Sequence, residues 1–311
     1  MTGAAADPAS DGDSDATTIS AGRGRLIGIL IPVAWLLLFF AIPFLFVIKI
    51  SLSEAAYSVP PVSDFLIWQD GWPVLQATWQ NFALILDDPL YLQALLGSLR
   101  IALTSTILTL LIGYPMAYAI ARSEPGMRTP LLLLVILPFW TSFLIRVYAW
   151  STLLQDQGMI NNALLWLGVI DDPIRMLNTE FAVQLGIVYS YLPFMILPLY
   201  ATLERLDGSL LEASADLGAR PWTTFWRVTL PLSLPGVAAG CLLVFIPAAG
   251  EFVIPELLGG PDTLMIGKVL WQEFFNNRDW PVASALATIL LLLLIGPILL
   301  LDRTQSRAEQ A

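Results

Sequence analysis

The sequence predicts an all-α membrane protein with six transmembrane helices. Three observations carry that expectation. Of its 311 residues, 57% are hydrophobic and only 13% are charged, more apolar surface than a water-soluble domain buries. The apolar residues gather into runs of roughly 20, the length a helix needs to cross a bilayer. One long polar stretch, Leu203 to Gly236, interrupts the apolar second half.

Residues 1–22 are dominated by Ala, Gly, Ser, Thr and Asp, including Asp7, Asp11, Asp13 and Asp15. With so little to bury, residues 1–25 are expected to form a disordered acidic tail. The stretch lacks the basic start of a signal peptide. Arg23 and Arg25 directly precede the first apolar run.

Six spans follow, at about Leu26–Ile50, Leu92–Ala121, Pro130–Leu153, Phe181–Leu203, Leu232–Leu257 and Val282–Leu301. This divides the chain into a first span with its outer segment (26–91), a block of five spans (92–301) and a short tail (302–311). One set of connections carries Arg122, Arg128, Arg205, Arg220 and Arg227, and the tails add Arg23, Arg25, Arg303 and Arg307. The opposite loops hold only Arg175, Lys268 and Arg278, with Lys49, Arg100 and Arg146 at or within span ends. Arginine and lysine concentrate on the cytoplasmic side, so both termini and the 203–236 stretch are expected in the cytosol.

The first outer segment, Ser51 to Tyr91, has no Lys or Arg but contains Phe65, Trp68, Trp72, Trp79 and Phe82. Short helices lying on the outer membrane face are expected there. The outer segment Gly259 to Pro281, with Trp271, Phe274, Phe275 and Trp280, should be structured too. Acidic residues outnumber basic ones in the outer segments. Positive-inside bias puts little pressure on Asp and Glu, so this excess is a weak hint of a cationic solute; ordinary solvated loop charge explains it as well.

Prolines punctuate the spans at Pro32, Pro43, Pro115, Pro138, Pro193, Pro198, Pro247 and Pro255. Each removes a backbone hydrogen bond and bends its helix, although proline is common in membrane helices anyway. No internal repeat points to an inverted-repeat transporter. Cys241 is the only cysteine and histidine is absent, which leaves no candidates for a disulfide, a thiol metal site or Ser/His/Asp chemistry. A GxxxxGK[ST] phosphate loop is also missing, so any ATP-driven step must use another chain.

Ionisable residues inside spans are costly and are functional candidates by default. Arg146 lies about 16 residues past Pro130, roughly 24 Å along a straight helix. Glu251 and Glu256 fall late in the fifth span, at a similar outer depth. A buried Arg146–Glu251 ion pair and a substrate contact are both open readings. Trp140, Tyr148, Tyr189 and Tyr191 supply aromatic faces near the same path, and such faces attract cations. Packing is the plainer role for each. Trp140 and Tyr191 sit two residues from Pro138 and Pro193.

The polar stretch itself reads as two short helices. Leu203, Leu206, Leu210, Ala213, Ser214 and Leu217 recur at helical spacing, giving an amphipathic helix of roughly 15 residues. That is too short and too polar to span a bilayer. Gly218 marks its end, and Pro221 opens a second helix over Trp222–Val228. Glu212, Ala213, Ser214, then Gly218, then Val228-Thr229-Leu230-Pro231 resembles the EAA loop of bacterial ABC importer permeases. Ser214 stands for the usual second alanine and Val228 for the usual isoleucine, conservative changes both. The resemblance implies a type I ABC importer permease fold, with Glu212, Ala213, Ser214, Asp216, Gly218 and Arg220 coupling to a cytoplasmic ATPase.

Three further segments, Leu137–Trp150, Pro247–Gly260 and Arg278–Ala285, resemble the polyamine branch of these permeases, the putrescine permease subunits nearest. The likeness covers about Leu26 to Leu301. It implies a second homologous permease subunit, two ATPase subunits that bind ATP and Mg, a periplasmic substrate-binding protein and a lipid bilayer as partners. It implies no cofactor on this chain, no catalysis by it and no nucleic acid, in a bacterial inner membrane. Permeases for iron, thiamine or sulfate share the fold. A self-contained channel or secondary transporter is the rival of a different class, and it leaves the EAA loop unexplained.

Overall fold

The computed structural model describes residues 28–69 and 72–308. The acidic tail over residues 1–25 lies outside the described residues. Among the described residues, five helices are long and apolar enough to cross a membrane: α1 (Gly28–Ser51), α3 (Pro89–Arg122), α7 (Glu180–Glu204), α9 (Pro221–Ala249) and the span Trp280–Leu299. That last span belongs to α12 (Trp280–Ala308), so most of the expected C-terminal tail continues the helix. The sixth crossing is a broken pair, α4 (Pro125–Ile136) and α5 (Phe143–Leu153).

The shorter elements lie between these. The strands β1 (Leu66–Gln69) and β2 (Trp72–Leu75) precede α2 (Gln80–Asp87). Next comes α6 (Met159–Trp166) after the broken pair, and α8 (Gly208–Asp216) before α9. Finally α10 (Val253–Leu258) and α11 (Ile266–Trp271) follow α9.

Helices α3, α7 and α9 pack on one another and form the centre. Small residues let them approach and hydroxyls tie them, as membrane helices require. The Tyr114 hydroxyl lies 2.8 Å from Ser233 Oγ, joining α3 to α9. Ile101, Ile187, Met195, Leu199 and Leu203 are fully buried in this centre. Helix α1 packs mainly on α12, and none of its apolar window is buried by the rest of the chain. Lipid is the solvent such a surface requires.

The third span is not the straight helix expected over Pro130–Leu153. Its two halves meet at 87°, through a 3-10 turn at Leu137–Trp140. Pro138 lacks an N–H, and Ser142 is extended ahead of α5, so the helical ladder cannot run through. The depth assigned to Arg146 along a straight helix is corrected accordingly.

The fifth span also differs. Pro221 opens a helix as expected, but that helix runs through a π turn at Phe225–Thr229 and on to Ala249. The chain breaks at 250–252 before α10. Glu251 thus occupies a break between helices rather than a helical span.

The amphipathic helix is shorter than expected, nine residues in α8 rather than roughly 15. Leu203 belongs to the end of α7, and Asp207 starts the new helix by accepting from the Ser209 N–H at 2.9 Å. This bond holds the Asp207 carboxyl below its usual range.

The first outer segment forms an antiparallel hairpin, Leu66 opposite Leu75 through Gln69 opposite Trp72, in place of part of the expected helical surface; α2 supplies the rest. Asn81 Nδ2 donates to the Ser51 and Ser53 carbonyls at 2.9 and 2.8 Å, tying α2 to the end of α1. The outer segments knit together. Tyr91 donates to Glu273 at 3.0 Å, and the Asn178 N–H to the Leu258 carbonyl at 3.0 Å.

Candidate functional site: a cavity at two helix breaks

Two helix breaks and the proline-bearing span α7 meet at one cavity of about 560 Å³. The α4–α5 bend contributes Phe139, Phe143 and Arg146. Tyr191 and Phe194 flank Pro193 inside α7, and the α9–α10 break contributes Glu251 and Phe252. Broken helices at membrane depth are tolerated where they are buried in protein or line a water-filled path. Two of them beside one space suit a translocation route.

Glu251 is only 8% exposed, yet both carboxylate oxygens are used. Oε1 accepts from the N–H groups of Phe252 at 3.1 Å and Val253 at 3.0 Å. Those are orphan donors at the start of α10, where a negative charge is favoured. Oε2 accepts from the Tyr191 hydroxyl at 2.5 Å. On the opposite wall, the Arg146 guanidinium donates to the Pro138 carbonyl at 2.6 Å and lies over Phe139 at 4.9 Å.

Arg146 and Glu251 line the same cavity but do not pair; each has local partners instead. The buried ion pair is therefore corrected. The bend in the third span supplies the reason, because it brings the Pro138 carbonyl within reach of Arg146. Of the sequence candidates, Arg146, Tyr191 and Glu251 come together. Glu256 does not: it pairs with Lys268 at 3.2 Å. Trp140 is 75% exposed and Tyr148 is exposed; neither lines the cavity. Tyr189 packs edge-on against Trp150 at 5.3 Å. The aromatic wall is Phe139, Phe143, Phe194 and Phe252, which sequence reasoning missed. The 3-10 turn rotates Phe139 inward in place of Trp140. Their positions beside Pro138, Pro193 and Glu251 were the available signal.

The second candidate site is the 203–236 loop. No residue of α8 is buried. Glu212, Ala213, Asp216 and Arg220 are exposed, and Leu217 is 89% exposed. Gly218 has φ +78°, the left-handed conformation expected where α8 stops. Ser214 Oγ lies 2.8 Å from Thr224 Oγ1, fastening α8 to the first turn of α9. Arg128 pairs with Glu204 at 3.2 Å beside this loop.

The bundle, the central cavity at helix breaks and the projecting loop define a membrane transport component rather than an enzyme. Residues 25–301 match the family described as binding-protein-dependent transport system inner membrane component, and the chain belongs to that family. It is 45% identical over 276 residues to the spermidine/putrescine transport system permease protein PotB of Salmonella typhimurium (strain SL1344), covering 88% of this chain and 91% of that protein. It is 44% identical to PotB of Escherichia coli (strain K12), covering 88% and 95%. The fold matches a bacterial ABC transporter involved in import of the acidic polysaccharide alginate, with TM-score 0.66 and 18% identity, covering 95% of this chain and 99% of that one. The protein is thus a multi-pass inner-membrane permease subunit of the type I importer fold.

Proposed function

We propose that this chain imports a polyamine, putrescine or spermidine, by alternating access through the cavity at the two breaks. The observation that carries the reading is the pairing of one carboxylate, Glu251, with an aromatic wall of Phe139, Phe143, Phe194 and Phe252. An alkylammonium is met by a carboxylate at its charged end and by aromatic faces along its chain. The chain's own guanidinium, seated over Phe139, is a cation held in that mode. Arg146 offsets the charge of Glu251, which keeps binding weak enough for release. The fold alone does not set the solute's charge, since its alginate relative imports an anion. The polyamine choice rests on the permeases it resembles at 44–45% identity.

The proposed assembly has a second homologous permease subunit, two ATPase subunits holding ATP and Mg, and a periplasmic binding protein that delivers the solute. Both termini and α8 face the cytosol. An ATPase cleft would cover α8, which this chain leaves bare.

The test is uptake of radiolabelled putrescine, spermidine, sulfate and thiamine by the reconstituted transporter, with Glu251→Gln beside the native chain. A charge-assisted hydrogen bond contributes about 1.5–3 kcal/mol, so Glu251→Gln should lower putrescine uptake at limiting substrate by roughly tenfold or more. Carriage of an anion alone, or normal putrescine uptake by the variant, overturns the corresponding part.

A further inference from the structure

We propose that the Tyr191–Glu251 hydrogen bond is a clasp that the substrate's ammonium group opens, linking cavity occupancy to helix movement. The inference rests on the cation path proposed above and names the contact that would sense the solute.

The division of labour at Glu251 carries it. Oε1 is committed to the backbone of the break, capping α10 through Phe252 and Val253. Oε2 has one partner, the Tyr191 hydroxyl at 2.5 Å, and it is the side from which α7 holds the junction. On the other side Gly267 lies so close that an added Cβ would collide with the carbonyls of Gly250 and Glu251. The junction is therefore held by α11 through backbone contact, and by α7 through apolar packing and one exchangeable hydroxyl. A phenol is neutral and offers one donor. An ammonium offers three donors and a full charge, and it forms the stronger bond to a carboxylate. An ammonium that takes Oε2 displaces the hydroxyl and leaves the Oε1 cap intact.

Release removes a polar tie on α7 at a point where that helix is already weakened. Pro193 sits two residues beyond Tyr191 within the helix and lacks the N–H that would brace this turn. It also removes a tie beside the end of α9. That helix is continuous for 29 residues from Pro221 at the loop to Ala249 at the junction, about 43 Å at 1.5 Å per residue. The clasp is thus connected through one continuous helix to the surface proposed to meet the ATPase.

The experiment uses the complete reconstituted transporter and measures ATP hydrolysis without solute, and again with putrescine-loaded binding protein. Tyr191→Phe removes the hydroxyl and keeps the ring. Glu251→Asp keeps the charge and the cap but falls one methylene short of Tyr191. Both should raise solute-free hydrolysis at least threefold and narrow the ratio of stimulated to unstimulated hydrolysis. A packing role would instead lower both rates together. Solute-free hydrolysis at or below the native level, in whichever of the two variants assembles, overturns the clasp. Failure of the cation path is read separately, as undiminished putrescine uptake by Glu251→Gln.

Discussion

The hydroxyls of Ser214 and Thr224 lie 2.8 Å apart, so the short loop helix α8 is fastened side-on to the first turn of the span that ends beside the cavity. Only the turn at Gly218 separates the two in the chain. Force applied to α8 reaches α9 through both the covalent turn and this bond. Thr224→Val keeps the shape and deletes the hydroxyl. One such bond contributes about 0.5–1.5 kcal/mol, so a two- to tenfold fall in putrescine imported per ATP hydrolysed is expected, with ATPase subunits still co-purifying. An unchanged import ratio would show that the covalent turn alone suffices.

Gly218 gives a prediction with its own control. A Cβ there would touch nothing, so any penalty is purely conformational, from φ +78°. Asparagine tolerates that region and a β-branched residue does not. Gly218→Asn should keep the ATPase bound, and Gly218→Val should release it or abolish substrate-stimulated hydrolysis. Equal behaviour of the two variants would mean that φ at this turn does not govern docking.

Gly267 tests the buttress behind Glu251. Gly267→Ala forces a carbon against backbone carbonyls that cannot rotate away, and overpacking of this kind costs about 1–3 kcal/mol. The purified transporter should show a lower unfolding temperature by fluorescence. Gly126→Ala, in open space, should not. A native transition in Gly267→Ala would mean that α11 stands further from the break.

A fourth prediction concerns the outer surface. Tyr57 and Val59 are fully exposed at the tip of a loop closed by the Ala55–Val62 bridge, and Asn276 lies in the neighbouring outer segment. Photo-crosslinkers at Tyr57, Asp64 or Asn276 should capture the soluble binding protein. Transport that still depends on that protein, with no crosslink from any of the three, would count against landing here.

Much of this protein was determined by its sequence. Apolar runs of membrane length set the helical class, because a bilayer leaves backbone groups no partners except one another. The end of α8 was legible from Gly218, because stereochemistry there is local and needs no knowledge of distant residues. Tyr191, Arg146 and Glu251 could be singled out because ionisable and amphipathic residues are costly inside a span.

Tertiary structure decided which of these meet. Whether Glu251 pairs with Arg146 or with Tyr191 depends on where the third span bends, and a bend of 87° redirects every side chain beyond it. Phe139 rather than Trp140 reached the cavity wall because a 3-10 turn replaced the helical one at Leu137–Trp140. Glu256 turned to Lys268, a residue from a separate outer helix. Sequence spacing fixes neighbours along one helix, where geometry repeats every 3.6 residues. It carries no such rule across a break, where proline and a few hydrogen bonds from other helices set the direction.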